Sequence, residues 1–165
     1  MAHVELSISE AFPTPGASSL QPGPTGFDNA DGSGGVDGFT RWSETVSTAA
    51  EPCLLIDRDT VISAVSSSGC QLLGLGSPIS VLGRPLLGSD LRLLDFTAAR
   101  GDLTEQDVER IPPLLALHSG RLARGLLRVR CPADDDQADA TVDAISTPVL
   151  TDGLVAGSLT FFSEV

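Results

Sequence analysis

The sequence predicts an α+β fold: a five-stranded antiparallel sheet with helices on one face, in the chain order β-β-α-α-α-β-β-β. Three observations carry this. Residues 53–57 and 60–65 are short runs rich in Leu, Ile and Val, split by Arg58 and Asp59, which is the pattern of a tight β-hairpin. Residues 126–131, 140–150 and 154–162 have strand composition and are joined by the acidic stretch 132–139 and the Thr151-Asp152-Gly153 turn. Between these two groups the apolar spacing turns helical.

The composition narrows the class. The chain has 165 residues, and once its polar first part is set aside the remainder is an ordinary domain size, burying about two-thirds of its extended-chain surface. The longest apolar run, 114–117, is far short of the roughly 20 residues of a membrane span. The first twelve residues lack the basic start and apolar core of a signal peptide, so a cytoplasmic protein is expected. Cys53, Cys70 and Cys131 are an odd number at unrelated spacings in apolar segments, and read as reduced core residues. The net charge of −12 comes from 22 acidic against 10 basic residues, every one of the latter Arg; such a surface repels phosphate and argues against direct nucleic-acid binding. Arg without Lys, a single Asn and no Tyr suit a high-GC bacterial genome, and we expect an actinobacterial one.

In chain order, residues 3–9 alternate Val4, Leu6 and Ile8 against polar neighbours, a strand period that needs a sheet edge of its own domain, a second copy or a partner; the other reading is a frayed end. Residues 13–38 are dominated by Pro, Gly, Ser and Asp and read as a flexible tether, with the domain occupying 39–165. Residues 39–50 read as an amphipathic helix with Phe39, Trp42 and Val46 on one face and Pro52 limiting its end. Trp42 is its natural anchor, either inside the domain or at a dimer seam. After the hairpin, Ser66–Ser68 offer N-caps for a short helix carrying Cys70, Leu72, Leu73 and Leu75. Thr104 caps a turn containing Glu105 and Asp107, and Pro112-Pro113 starts a second helix that runs through Leu114, Leu115, Leu117 and His118 to Gly120. In the last third, Leu127, Val129 and Cys131 alternate with Leu126, Arg128 and Arg130. The triple Asp134–Asp136 lacks the glycine and distant Glu of a Ca²⁺ loop and reads as a solvated connection.

The hairpin, serine cap, short helix and following Gly83-Arg84-Pro85 together resemble the opening of a PAS domain, and the chain is identified on these residues as a stand-alone bacterial PAS-like protein. The segment Gly88-Ser-Asp-Leu91-Arg92-Leu-Leu resembles the flavin-binding LOV branch of that family, with Leu91 standing where the photoreactive cysteine would be; leucine forms no adduct, so LOV photochemistry is not expected. The resemblance implies a sensor or docking module. It places a small apolar ligand, if one binds, between sheet and helices, with Ile56, Val65, Cys70, Leu73, Leu91, Leu115, His118 and Val129 as pocket candidates. Haem would need His118 as its ligand, but a single histidine at a helix end, beside Gly120 and close to Arg121 and Arg124, reads more readily as a surface or capping group, and flavin would need Asn and Gln side chains that are nearly absent, so no cofactor and no metal are expected. The helix 39–50 sits where PAS proteins place either a sheet-packing helix or a dimer contact.

Enzyme chemistry finds little footing. His3 and His118 are the two histidines, so a Ser or Cys nucleophile has scarcely a base to work with. There is neither a phosphate-cradling Gly-Lys motif nor a His-Glu-x-x-His nor a zinc-spaced Cys pair. Two readings remain: a sensory or protein-interaction module in bacterial signalling or transcriptional regulation that forms a homodimer and passes its output to a separate effector protein, or an adaptor whose core is filled and takes no ligand. Interface candidates are Val4, Leu6, Ile8, Phe39, Trp42 and Val46.

Overall fold

The computed structural model describes residues 38–87, 91–96, 101–130 and 139–165. The Val4-Leu6-Ile8 motif, residues 13–37 of the tether, Gly88, Cys131 and Asp134–Asp136 lie outside these residues; Gly38, read as the end of the tether, is the first residue of the N-terminal helix. Six strands form one antiparallel sheet: β1 (Cys53–Asp57), β2 (Ile62–Val65), β3 (Leu93–Leu94), β4 (Ala123–Val129), β5 (Ala140–Thr151) and β6 (Leu154–Glu164), in the lateral order β2-β1-β6-β5-β4-β3. The five expected strands are all present, and β3 is additional. It pairs Leu93 with Val129 and Leu94 with Arg128, and two residues are too few for a strand period to show in sequence.

The helices are α1 (Gly38–Thr48), α2 (Ser67–Leu73), α3 (Pro78–Val81), α4 (Glu105–Val108) and α5 (Pro112–Ser119). Their ends follow the expected chemistry. Ser66 Oγ accepts from Gly69 N–H to cap α2, Thr104 Oγ1 accepts from Asp107 N–H to cap α4, and Gly74 and Gly120 close α2 and α5 in the left-handed conformation that costs glycine nothing. The helices between the strands pack on one face, as expected, and the N-terminal helix takes the other. Leu54 and Ile56 of β1 join the main core with α2 and α5, but Cys53 and Leu55 point the other way, into a second cluster with Ala64, Val149 and Leu159 that α1 covers through Val46 and Phe39, with Ala49 just past its end. A strand buried on both faces is a continuous apolar run, which is how 53–56 reads. Trp42 is not the anchor of this packing: it is 44% exposed, while Val46 is buried. Inside α1, Thr45 Oγ1, Ser47 Oγ and Thr48 Oγ1 all donate back to carbonyls four residues earlier, so the helix is held by its docked face more than by its own propensity.

Both lateral edges of the sheet carry short segments of the same chain. Val61 bridges Pro85, Ile62 N–H donates to Arg84 O and Leu86 N–H to Thr60 O, so the Gly83-Arg84-Pro85 motif lies along β2. At the opposite edge Leu94 bridges Asp102 and Asp95 N–H donates to Gly101 O. Such covers blunt strand addition.

The β1–β2 connection is wider than the expected two-residue turn. Asp57 Oδ1 accepts from both Asp59 and Val61 N–H at 2.9 Å, and the chain turns through Thr60 at φ 61°. A β-branched residue pays steric energy there. Thr60→Gly is expected to raise stability by about 0.5–1 kcal/mol, the relief of strain being partly offset by the freer unfolded chain; chemical denaturation measures it.

Candidate functional site

Three places on the domain bear on function: the interior between sheet and helices, the opposite face of the sheet, and a cleft at the β3 edge. The interior gathers six of the eight pocket candidates. Ile56 and Val65 come from the hairpin, Cys70 and Leu73 from α2, Leu91 from the approach to β3 and Val129 from β4, all within one apolar cluster and all 9% exposed or less. Leu115 and His118 do not join them. α5 turns Leu114, Ala116 and Leu117 inward, which leaves Leu115 and His118, three residues apart, on its exposed side. His118 therefore has no line to a group held in the core: it takes the surface position read for it as the alternative to a ligand, and its place among the pocket candidates is corrected.

The interior also contains hydroxyls. Ser146, Ser158 and Thr160 are fully buried and share the inward face with Ala144, Leu54 and Ile56 by strand register. Ser146 Oγ and Thr160 Oγ1 hydrogen-bond to each other at 2.7 Å, whereas Ser158 Oγ has no hydrogen-bond partner among the described residues. The two described thiols are buried. Burial pushes both Cys53 and Cys70 above the ordinary thiol range, a Ser66 hydrogen bond only partly opposing it at Cys53, so both stay protonated at neutral pH.

On the outer face of the sheet, α1 covers β2, β1, the start of β6 and the end of β5 around Val149, and leaves the remainder of β5 and β4 open. Cross-strand register aligns Phe161 of β6 with Ile145 of β5, and Leu126 of β4 is the diagonal neighbour of Ile145. Phe161 is 44%, Ile145 38% and Leu126 51% exposed. A polar rim closes one side, where Arg124, paired with Ile145, reaches Asp143 with Nη2 at 2.6 Å. That hydrogen bond holds the Asp143 carboxyl below the usual carboxylate range. The alternation of 126–130 was readable in sequence, but the alignment of Leu126, Ile145 and Phe161 comes from register, which the sequence does not print.

The third place is a cleft of about 300 Å³ where β3 and β4 meet the corner between α4 and α5. Leu93, Leu103, Ile111 and Leu127 give it an apolar floor; Arg110 and Arg128 stand at its rim. The Arg128 guanidinium lies over the Phe96 ring, 4.9 Å from its centroid, and Nη1 donates to Asp95 O at 3.3 Å.

With this geometry in hand, comparison with solved structures returns PAS-type domains. The LOV protein of Rhodobacter sphaeroides superposes with TM-score 0.55 at 17% identity, covering 78% of this chain and 67% of that one. A PAS domain from Colwellia psychrerythraea superposes with TM-score 0.52 at 13% identity, covering 76% and 94%. A Vibrio cholerae VqmA dimer, described as a LuxR-type receptor, does so with TM-score 0.52 at 13% identity, covering 76% and 50%. The fold is PAS-like. This PAS-like chain spans about half the length of the VqmA chains it matches. Its sequence matches no protein-family model and no curated protein. Leu91 is buried in the core of the PAS-like domain. No helix among the described residues is long and apolar enough to cross a membrane.

Proposed function

We propose that this chain is a non-enzymatic PAS-like sensory or protein-interaction module of bacterial signalling or transcriptional regulation, acting by protein docking on the outer face of its sheet, with a second copy of itself as the first partner. The observation that carries this reading is the stripe of Phe161, Ile145 and Leu126 beside α1, which also holds the half-exposed Trp42. Apolar and aromatic side chains aligned on one face and rimmed by a charged pair have the anatomy of an interface core. A self-paired stripe suits this chain, since the same face on two copies is self-complementary. The VqmA neighbour is itself described as a dimer. The output goes to a separate effector protein, and the domain itself, with its excess of acidic residues, does not bind nucleic acid.

The packed interior favours the adaptor reading over an internal ligand: the pocket candidates that face inward touch one another and leave the signal to be carried by the outer face. Neutral thiols and a lone surface histidine in the described domain support the absence of enzyme chemistry.

Sedimentation velocity tests the association. A dimer is expected at micromolar concentration, and because both copies are strongly acidic it should tighten as salt rises from 50 to about 500 mM and screening shortens the reach of their repulsion. Phe161→Asp should return it to monomer with an unchanged circular dichroism spectrum. Trp42→Ala should weaken it, since a half-exposed side chain contributes less to the fold than to a contact. A parent protein that is monomeric at every salt concentration rules out self-docking.

A further inference from the structure

We infer that the open edge of β4 takes residues 3–9 of the same chain as an added strand, with Val4, Leu6 and Ile8 turned to the apolar floor of the cleft. What receives the segment is backbone. β3 pairs only with Arg128 and Val129 of β4, because Asp95 N–H turns away to Gly101 O and the two strands part there. The cleft of about 300 Å³ is the wedge between them, with consecutive residues on each wall, Leu93–Phe96 on one and Gly125–Arg128 on the other. Arg130 N–H donates to Arg92 O across this gap, and backbone groups alternate sides along a strand, so Leu126 and Arg124 also present their N–H and C=O to it. Neither has a strand partner on that side among the described residues. The β2 edge offers no such place, since Ile62 N–H already donates to Arg84 O and Leu86 N–H to Thr60 O.

The pattern of the segment matches the gap. Its alternation puts Val4, Leu6 and Ile8 on one side of a strand and Glu5 and Ser7 on the other. The gap is two-sided in the same way: Leu103, Ile111 and Leu127 line its inner side, and its outer side opens to solvent beside the exposed Arg124. Main-chain bonds would supply the affinity and the aliphatic side chains the register. Length decides whether the segment arrives. Residues 10–37 join it to α1, whose Phe39 rests on Gly157. From Gly157, a strand added beside Gly125 lies about three strand spacings sideways and about five residues along the strands, a separation of roughly 22 Å. A stretch with the composition of 10–37 averages roughly 26–32 Å end to end, so the edge is within reach. Such a tether raises the local concentration of the segment toward the millimolar range, which favours the chain's own segment over that of a second copy. Leu126 serves two places, its backbone this edge and its side chain the outer stripe, but strand addition does not require two copies to dock.

Amide hydrogen exchange of the full chain, read residue by residue by NMR, tests the assignment. The amides of Gly125 and Leu127 bond to β5 and should stay protected throughout, which reports an intact sheet. Those of Arg124 and Leu126 should be protected as well in the parent, equally over a tenfold range of protein concentration, and should exchange at least about tenfold faster in Leu6→Asp. Phe161→Asp, which is expected to abolish self-docking, should leave all four protected, and Leu6→Asp should leave sedimentation unchanged, so failure of self-docking and failure of strand addition are distinguishable. Fast exchange of Arg124 and Leu126 in the parent, protection that survives Leu6→Asp, or protection that fades on dilution or in Phe161→Asp would each overturn the assignment.

Discussion

Replacing Gly157 by alanine is expected to unseat α1 and to cost at least about 3 kcal/mol, at or beyond the upper end of ordinary overpacking. Gly157 lies on the outer face of β6, paired with Asp57 on one side and Val149 on the other, and the Phe39 ring of α1 rests directly on its Cα. A Cβ built there falls well inside contact distance of both the Phe39 ring and the Ile56 carbonyl oxygen. The ring could swing away, but the carbonyl belongs to β1 and moves only with the β1–β6 pairing. The damage therefore has two parts that a double mutant separates. Phe39→Ala removes the ring and loses its packing; in the double variant the ring clash is gone and the backbone clash stays, so the combined loss should be smaller than the sum of the two single losses. Trp42, the only tryptophan, sits on α1 and reports the event: its emission should shift to the red in Gly157→Ala below the main melting transition. If Gly157→Ala melts like the parent with unchanged emission, α1 is not seated on β6 in the way described.

How much of this was legible in the sequence depends on whether the deciding interaction is local. The α2 cap at Ser66, Thr104, Gly120 and the Asp152-Gly153 turn act within four residues of themselves and were readable, whereas the bonds of Ser66 to Glu51 and Cys53 span 15 and 13 residues and were not. The position of α1 was not, because Cys53 and Leu55 look the same in sequence whichever layer covers them; only the length of the apolar run hinted that β1 is covered twice. Trp42 misled for a related reason. Its size marked it as an anchor, but α1 meets the sheet along Phe39 and Val46, with Ala49 following its last residue, and Trp42 lies at the margin of that face. Leu115 and His118 show the limit of helical period in a short helix, where Leu114 and Leu115 are equally apolar and only tertiary contact decides which turns inward. The outer stripe and the cleft are least legible of all. Phe161 and Phe162 are adjacent and of the same type, yet one faces out beside Ile145 and the other enters the core, and Arg110 and Arg128 meet at one rim only because β4 returns beneath α5.

Ser66→Ala should be the most damaging change that removes a single oxygen atom. Ser66 is fully buried at the junction of β2 and α2, and its hydroxyl joins three backbone segments: it accepts from Gly69 N–H at 3.0 Å, accepts from Cys53 N–H at 3.0 Å, and donates to Glu51 O at 2.8 Å. The first is the α2 cap, worth about 1 kcal/mol on its own. The second holds the start of β1, where water cannot replace the lost acceptor, and a buried donor left unpaired costs about 1–3 kcal/mol. A total of about 2–4 kcal/mol follows, and at this domain size that lowers the melting temperature by roughly 10 °C. Gly69 aggravates the loss, because a Cβ there would lie 2.9 Å from Cys53 O, so α2 is already pressed against β1 and cannot shift to find another partner. Ser68 is the control. It also bonds from the N-terminus of α2 to the preceding loop, donating to Ala50 O at 2.7 Å, but it is only half-buried and this bond lies at the surface, so water takes its place and Ser68→Ala should cost under about 1 kcal/mol. Equal losses in the two variants would show that capping alone, and not the buried three-way junction, sets the contribution of Ser66.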